Sequence, residues 1–348
     1  MGSRLSSKRL ENAGDAPPGF AMKKKGELIV VDTLLEEGLN DGDLPHLCLD
    51  KTLLLSSGHD AIGPRDLGDA LASVRKTKRI KLNKLSVMFN GSGGWGIGDF
   101  IAKDSTIREV TILCENLSDE SVQSLAGALE VNRTVKKLLL GGTELQEDAA
   151  AAVGKALKSS SSLQQLTLFN CGFRDVGAEV IAFGLAANNS LERLDMTYCG
   201  ISDEGAAGIS RAVHLHPTLS HLNLKNNAVG PRGSTALADA LRGNSIVREL
   251  ILGANRVGNS GASALAGALS VNNTLAYLDL GSNGIGDEGG LAIADGLAQN
   301  ASLKYLNLRT NSVGRETCER VRIGWNKRNA KRSIQLEQPW HDGLSLPF

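Results

Sequence analysis

The feature that most constrains this chain is an internal period of 28 residues. Apolar residues stand at Ile107, Val135, Leu163, Leu191, Leu219, Val247, Leu275 and Leu303, each 28 after the one before. Self-similarity at a fixed period of this size marks a repeat architecture and takes precedence over any local reading. With the anchor as offset 0, apolar side chains recur at offsets 3 and 5, as in Leu222 and Leu224 or Leu278 and Leu280. Two-residue spacing buries one face of a short strand. Offsets 18 and 22 are apolar as well, as in Leu237 and Leu241 or Ile293 and Leu297, and four-residue spacing marks one side of a helix. One strand and one helix cannot bury their own apolar faces, so neighbouring units must stack.

Offset 8 carries Asn227, Asn255, Asn283 and Asn311, and offset 10 an apolar residue such as Val229 or Ile285. The offset-8 side chain falls where strand gives way to loop, and is expected to satisfy main-chain amides that stacking leaves unpaired. Gly205, Gly233, Gly261 and Gly289 at offset 14, with small residues at offset 19, let the helix lie close to the strand layer. The pattern LxxLxLxxN followed by an amphipathic helix resembles the leucine-rich repeats of the ribonuclease-inhibitor type. The likeness is strongest over residues 107 to about 330, and LAYLDLGSNGIGDEGGLAIADGL at 275–297 is close to that class's consensus. The resemblance implies an α/β leucine-rich-repeat solenoid, a horseshoe with parallel strands on the concave face and helices on the convex face. It also implies that Thr143, Cys171 and Cys199 at offset 8 are structural, because the class alternates Asn with Cys or Thr there.

Outside the clear register, a copy only 25 residues long begins at Leu82, with Leu85, Val87 and Asn90 at offsets 3, 5 and 8. A weaker copy near Asp50 uses Leu53, Leu55 and Ile62. The expected organisation is a flexible basic tail at 1–26, an N-terminal cap with a degenerate repeat at 27–81, about nine repeats over 82–330, and a C-terminal tail at 331–348. Trp325 replaces the usual Leu or Val at offset 22 of the last repeat and is expected to seal its core. Lys327, Arg328, Lys331 and Arg332 supply the polar outer face that a terminal repeat needs. The last segment either folds back through Trp340 and Phe348, the favoured reading, or hangs free.

Several local motifs dissolve once the register is applied. The acidic pairs Asp119-Glu120, Asp203-Glu204 and Asp287-Glu288 all lie at offsets 12 and 13, the start of a helix, where Asp can cap free amides and Glu suits the helix dipole. The run Gly91-Ser92-Gly93-Gly94-Trp95-Gly96 contains GxGxxG, but a dinucleotide fingerprint needs a βαβ unit with a right-handed crossover and an acidic residue about 20 residues later, whereas this strand belongs to a solenoid whose strands are added one by one. It is read as a flexible loop replacing part of the convex side in the short repeat. Four of six N-x-[ST] sequons, at Asn132, Asn188, Asn272 and Asn300, fall at offset 25 and are generated by the repeat; Asn90 and Asn116 are the others. His214, His216 and His221 fall at offsets 23, 25 and 2, a placement that does not suggest a metal site. No nucleophile elbow, Walker loop or HExxH motif occurs, so no catalytic residue, metal or cofactor is expected, and the chain is read as a non-enzyme.

Charge and termini bound the partners. With 38 Lys+Arg against 38 Asp+Glu, nucleic-acid binding by phosphate neutralisation is not expected. No segment approaches the roughly 20 apolar residues of a transmembrane helix, the N-terminus has no apolar signal core, and the expected setting is the cytoplasm, with the five cysteines as thiols. Met1-Gly2-Ser3-Arg4-Leu5-Ser6 fits the myristoylation pattern at Gly2. Lys8, Arg9 and Lys23 to Lys25 would supply the second anchor for peripheral membrane contact.

Outward strand positions, offsets 1, 2, 4, 6 and 7, form the concave face. The chain is 4% aromatic, yet its three tyrosines, Tyr198, Tyr277 and Tyr305, all fall there, as does Phe169. Aromatic and Arg side chains dominate binding hot spots. The same face carries Glu192, Arg193, Asp195, His221, Lys225, Arg248, Glu249, Asp279 and Arg309. Charges of both signs point to a folded protein partner held by a non-enzymatic interaction module or scaffold. Two other readings remain open: a GTPase-activating protein similar to the Ran GTPase-activating protein, and a structural subunit of a cytoskeletal or ciliary assembly. The basic segment after the repeats, in place of a long acidic tail, argues against the first.

Overall fold

The structure, a computed structural model, describes residues 20–22, 28–31, 51–56, 82–89, 95–114, 117–326 and 333–335. The chain forms two compact units, Met1–Leu163 and Gln164–Phe348. In the first, β1 (Phe20–Met22) runs antiparallel to β2 (Leu28–Val31). Then β2, β3 (Lys51–Ser56), β4 (Leu82–Phe89), β5 (Glu109–Cys114) and β6 (Lys137–Gly141) pair in parallel in chain order. Helices α1 (Trp95–Lys103), α2 (Asp119–Val131) and α3 (Glu147–Ser159) alternate with the later strands. Leu53, Leu85, Val110 and Leu138 sit opposite one another in turn, so the offset-3 row runs back through the copies at Leu82 and Asp50. The short repeat at Leu82 keeps a helix of its own: Trp95 and Gly96 open α1, where a flexible loop was expected. Gly91 to Gly94 lie outside the described residues, as does Gly2.

In the second unit β7 (Gln165–Phe169), β8 (Arg193–Asp195), β9 (His221–Asn223), β10 (Glu249–Ile251), β11 (Tyr277–Asp279), β12 (Tyr305–Asn307) and β13 (Ser333–Gln335) are parallel in chain order. Between them lie α4 (Arg174–Ala186), α5 (Asp203–His214), α6 (Pro231–Gly243), α7 (Gly258–Leu269), α8 (Asp287–Gln299) and α9 (Arg315–Asn326), each packed on the next. One strand and one helix per period is the α/β solenoid that the spacing implied. Anchors and offsets 3, 5 and 10 form the core: Leu219, Leu222, Leu224 and Val229 are all at most 1% exposed. Trp325, at 2% exposed, fills the offset-22 place in α9. The register outlasts the boundary expected at 330, because Ile334 pairs with Leu306 as a further offset-3 residue. Its anchor position is Lys331, and the missing apolar anchor hid the strand.

Three side-chain ladders tie each repeat to the next. At offset 8, the buried Asn255 donates from Nδ2 to the carbonyls of Leu224 and Leu252, both 2.9 Å, and accepts the Val229 amide at Oδ1, 2.9 Å. Asn227 and Asn311 repeat the arrangement. Thr143 serves the same turn with its hydroxyl, accepting the Leu117 amide and donating to the Leu117 carbonyl. Cys199 donates its thiol to the Leu168 carbonyl at 3.0 Å. Burial pushes the Cys199 thiol up to about 12 and Cys171 higher still, so neither is a nucleophile at neutral pH.

The second ladder stands at offset 25, where helix turns back to strand, and explains the sequons. Asn272 accepts the Thr274 and Leu275 amides at Oδ1 and donates from Nδ2 to the Leu241 and Asn244 carbonyls. Asn300 and Asn244 do likewise. Asn132, Asn188, Asn272 and Asn300 are all at most 4% exposed, which closes these sequons to glycosylation in the folded chain. His216 occupies the same seat. Its Nδ1 accepts the Thr218 and Leu219 amides at 3.3 and 3.0 Å, a job only the neutral ring can do. Burial lowers its pKa, with the Leu185 carbonyl working in the opposite direction.

The third ladder revises the reading of the acidic pairs. The offset-12 Asp or Asn caps not its own helix but the helix of the following repeat. Asp175 accepts the Ser202 and Gly205 amides, Asp203 those of Gly230 and Gly233, and Asn259 those of Gly286 and Gly289. Asp287 accepts the Gly314 amide, and the Thr317 hydroxyl followed by that amide holds its carboxyl below the ordinary range. The offset-14 glycine follows from this contact. A Cβ at Gly233 would meet Asp203 Oδ1 at 2.8 Å and Ala206 Cβ at 2.9 Å, so the close approach is to the preceding repeat's cap and helix rather than to the strands.

Replacing Asn255 by Leu strands the Val229 amide in the core and takes one of two amide donors from each of the Leu224 and Leu252 carbonyls, which keep Asn227 and Asn283. At roughly 1 to 3 kcal/mol per buried unpaired group, the variant should lose about 3 kcal/mol of stability in a denaturant melt; an unchanged melt would refute the ladder. For His216, the lowered pKa means the fold favours the neutral ring. Its contribution is complete above the unfolded value of about 6.5 and is lost as pH falls below it. His216→Asn keeps the amide contacts at every pH. Its advantage in melting temperature over the natural chain should therefore grow between pH 7.5 and pH 5, and a constant difference would count against the assignment.

Candidate functional site

In the second unit, strand residues at offsets 3 and 5 turn inward, and those at offsets 2, 4 and 6 stand on the opposite face of the sheet. The parallel register sets the offset-2 row side by side in the order Arg193, His221, Glu249, Tyr277, Tyr305. The offset-4 row reads Asp195, Asn223, Ile251, Asp279, Asn307 in the same way. Residues far apart in sequence thus become neighbours about 4.8 Å apart across the strands.

The aromatic residues form two pairs. Tyr277 and Tyr305 stack with ring centroids 4.1 Å apart and planes 5° from parallel. Phe169 and Tyr198 meet edge to face at 5.8 Å and 84°. The second pair is open to solvent, with Phe169 42% and Tyr198 50% exposed, whereas Tyr277 and Tyr305 are half-buried. Burial, then the hydrogen bond with Tyr305 and the charges of Asp279 and Glu249, hold the Tyr277 phenol above its ordinary range.

Tyr198 carries backbone strain. The chain takes a left-handed conformation at offset 7 in each repeat of this unit, at Asn170, Tyr198, Asn226, Ala254, Ser282 and Thr310, with φ between 52° and 58°. This bend lets the main-chain ladder run past the strand, as when the Asn226 amide meets the Gly253 carbonyl and the Ala254 amide that of Gly281. Asn tolerates the conformation well, and a ring does not. Ala254, Ser282 and Thr310 take the same conformation, so the bend is a property of the repeat, and Tyr198 is the largest side chain held in it.

The polar residues divide into engaged and open groups. His221 Nε2 contacts Glu249 Oε1 at 3.0 Å, and its Nδ1 lies 2.6 Å from the Ser220 hydroxyl. Asp195 uses both oxygens: Oδ1 accepts the Thr197 amide and hydroxyl, and Oδ2 accepts Asn223 Nδ2 at 2.7 Å. Asp279 Oδ1 accepts the Gly281 amide and Asn307 Nδ2. Among the described residues, Glu192, Arg193, Lys225, Arg248 and Arg309 are exposed and make no side-chain ion pair. Sequence reasoning missed the amide partners Asn223 and Asn307. The recurrence of Asp then Asn at offset 4 of successive repeats was the available signal. Among the described residues no three metal-binding side chains converge, and no helix is long and apolar enough to cross a membrane.

The comparisons agree with the repeat. Residues 159–182, 187–210, 216–238, 243–266 and 271–294 match the family described as Leucine Rich repeat. No curated protein matches the chain. Among solved structures, it is similar to leiomodin-1 actin-binding site 2 at 20% identity and a TM-score of 0.38, covering 42% of this chain and 86% of that one. It is also similar to a yeast complex of Rad7 and Elc1, at 15% identity and a TM-score of 0.43, covering 75% of each chain.

The strain at Tyr198 is open to measurement. With its ring partner removed by Phe169→Ala, adding Tyr198→Asn should raise stability by about 1 kcal/mol, the size of the left-handed penalty for a side chain with a Cβ. A further loss in the double variant would show that Tyr198 is held without strain.

Proposed function

We propose that the chain is a leucine-rich-repeat protein and acts as a non-enzymatic interaction module of the ribonuclease-inhibitor type. In this reading it holds a folded protein partner on the concave face of the second unit, in the cytoplasm. The observation behind the proposal is the concentration of aromatic residues: all three tyrosines of the chain and Phe169 project from one sheet face as two pairs. Large rings with two rotatable bonds bury much area at small entropic cost, which is why they anchor interfaces.

The spacing fits a single partner. The two pairs are separated by four strands, about 19 Å, and by four to five residues along the strand, about 15 Å, so the diagonal is roughly 25 Å. A standard interface of about 800 Å² per partner spans that distance. Between the pairs lie the His221–Glu249 contact and the exposed Arg193, Lys225 and Arg248, charges of both signs that would fix orientation and exclude wrong partners. A strand-and-helix frame with its main-chain groups already paired needs little reordering on binding, and this lowers the entropic cost of association.

The test is a quantitative native pull-down with mass spectrometry, comparing the natural chain with the Tyr198→Ala, Tyr277→Ala, Tyr305→Ala triple variant after confirming equal melting temperatures. A dominant protein partner should be depleted at least tenfold by the variant. Undiminished recovery of the same partners would move the binding site elsewhere in the chain.

A further inference from the structure

The two aspartates of the offset-4 row act as each other's control. Each is followed two residues later by an amide it caps, and each meets an Asn of the next repeat. Asp195 has both oxygens satisfied, because Thr197 adds a hydroxyl and Asn223 takes Oδ2. At Asp279 the hydroxyl is missing, since Gly281 stands where Thr197 does, and Asn307 shares Oδ1 with the Gly281 amide. Among the described residues, Asp279 Oδ2 accepts no hydrogen bond, although the residue is only 9% exposed. Oδ2 is not sealed from water, so this oxygen is open to a donor from outside the chain.

The surroundings indicate what would meet it. Glu249, beside Tyr277 in the register, gives Oε1 to His221 and leaves Oε2 without a donor among the described residues. Tyr277 presents one ring face to Tyr305, and its other neighbour in the row is Glu249. Glu249 and Asp279 therefore flank the same ring, their Cα atoms about 8 Å apart by strand spacing. Gly253, two residues past the end of β10, leaves the carboxylate uncovered: a Cβ there would stand 3.1 Å from Oδ2. Its backbone is not left-handed, so conformation does not require glycine at that position.

Two separated carboxylate oxygens and a tyrosine face match a guanidinium better than an ammonium. Arginine offers five donors in a plane that stacks on a ring while bonding outward to two acceptors; lysine offers three from one point. We propose that Tyr277, Glu249 and Asp279 seat an arginine side chain of the protein partner. This rests on the proposed function, and makes the seat the part of the surface that selects for residue type.

The probe is N-acetyl-arginine methylamide, titrated into the full chain carrying ring-¹³C tyrosine and followed by NMR. Three tyrosines give three assignable ring signals. The Tyr277 and Tyr305 signals should shift and saturate with a Kd on the order of millimolar, as expected for one side chain, while Tyr198 stays fixed. The citrulline analogue, equal in shape and uncharged, should bind at least tenfold more weakly, and the lysine analogue several-fold more weakly. Asp279→Asn, which keeps an acceptor for Gly281 and Asn307, and Glu249→Gln should each weaken arginine at least fivefold. Should Asp279→Asn melt early, Gly253→Ala, which crowds Oδ2 without touching charge, takes its place with the same expectation. Equal binding of citrulline, a matching shift at Tyr198, or unaffected variants overturn the seat. If the triple tyrosine variant loses its partner while arginine moves no signal, the seat fails and the wider surface stands.

Discussion

Everything in this structure depends on how main-chain groups at the two turns of each repeat are satisfied. Strand and helix interiors pair their own amides and carbonyls, but every 28 residues the chain leaves a strand and leaves a helix, and the freed groups are buried by the neighbouring repeat. Asn255 at the first turn and Asn272 at the second reach both back into the preceding repeat and along their own chain. Asp203 adds a third bond set, from one helix start to the next. The apolar core supplies attraction without direction, and these side chains fix the spacing and rotation at which it is realised.

Satisfying the frame internally leaves the outer sheet face free to vary. Offsets 3, 5 and 10 stay apolar along the second unit, while offset 2 runs from Gln165 through Arg193, His221 and Glu249 to Tyr277 and Tyr305. Where variation departs from what the fold prefers, the departure carries information. Tyr198 sits in a left-handed bend that Asn170 and Asn226 fill more comfortably. Asp279 carries an unmet oxygen where Asp195 has none. Both lie on the face read as the binding surface.

Much of this was legible in the sequence, because a solenoid converts a linear period into spatial register. Knowing the offset of Tyr277 and of Tyr305 was enough to place both on one face, and knowing it for Cys171 and Cys199 removed them from consideration as reactive thiols. Legibility failed where a contact joins residues one period apart through side chains. Asp203 sits at the start of its own helix, so a reading along the chain assigns it there; only stacking reveals that it serves Gly230 and Gly233. The strand at Ile334 escaped notice for a related reason. Its anchor position is Lys331, so the apolar spacing that marks the other repeats is broken there.

By itself, then, the sequence determined the strand–helix period, the core positions, the asparagine seats and the face on which the aromatic residues project. Those follow from apolar spacing and from the fixed geometry of strand and helix. The tertiary structure decided which oxygens of Asp195 and Asp279 are met, how the rings pair, and why His216 can stand in an asparagine seat. These depend on distances of a few tenths of an ångström between residues 28 positions apart, and side-chain type at a given offset does not set such distances.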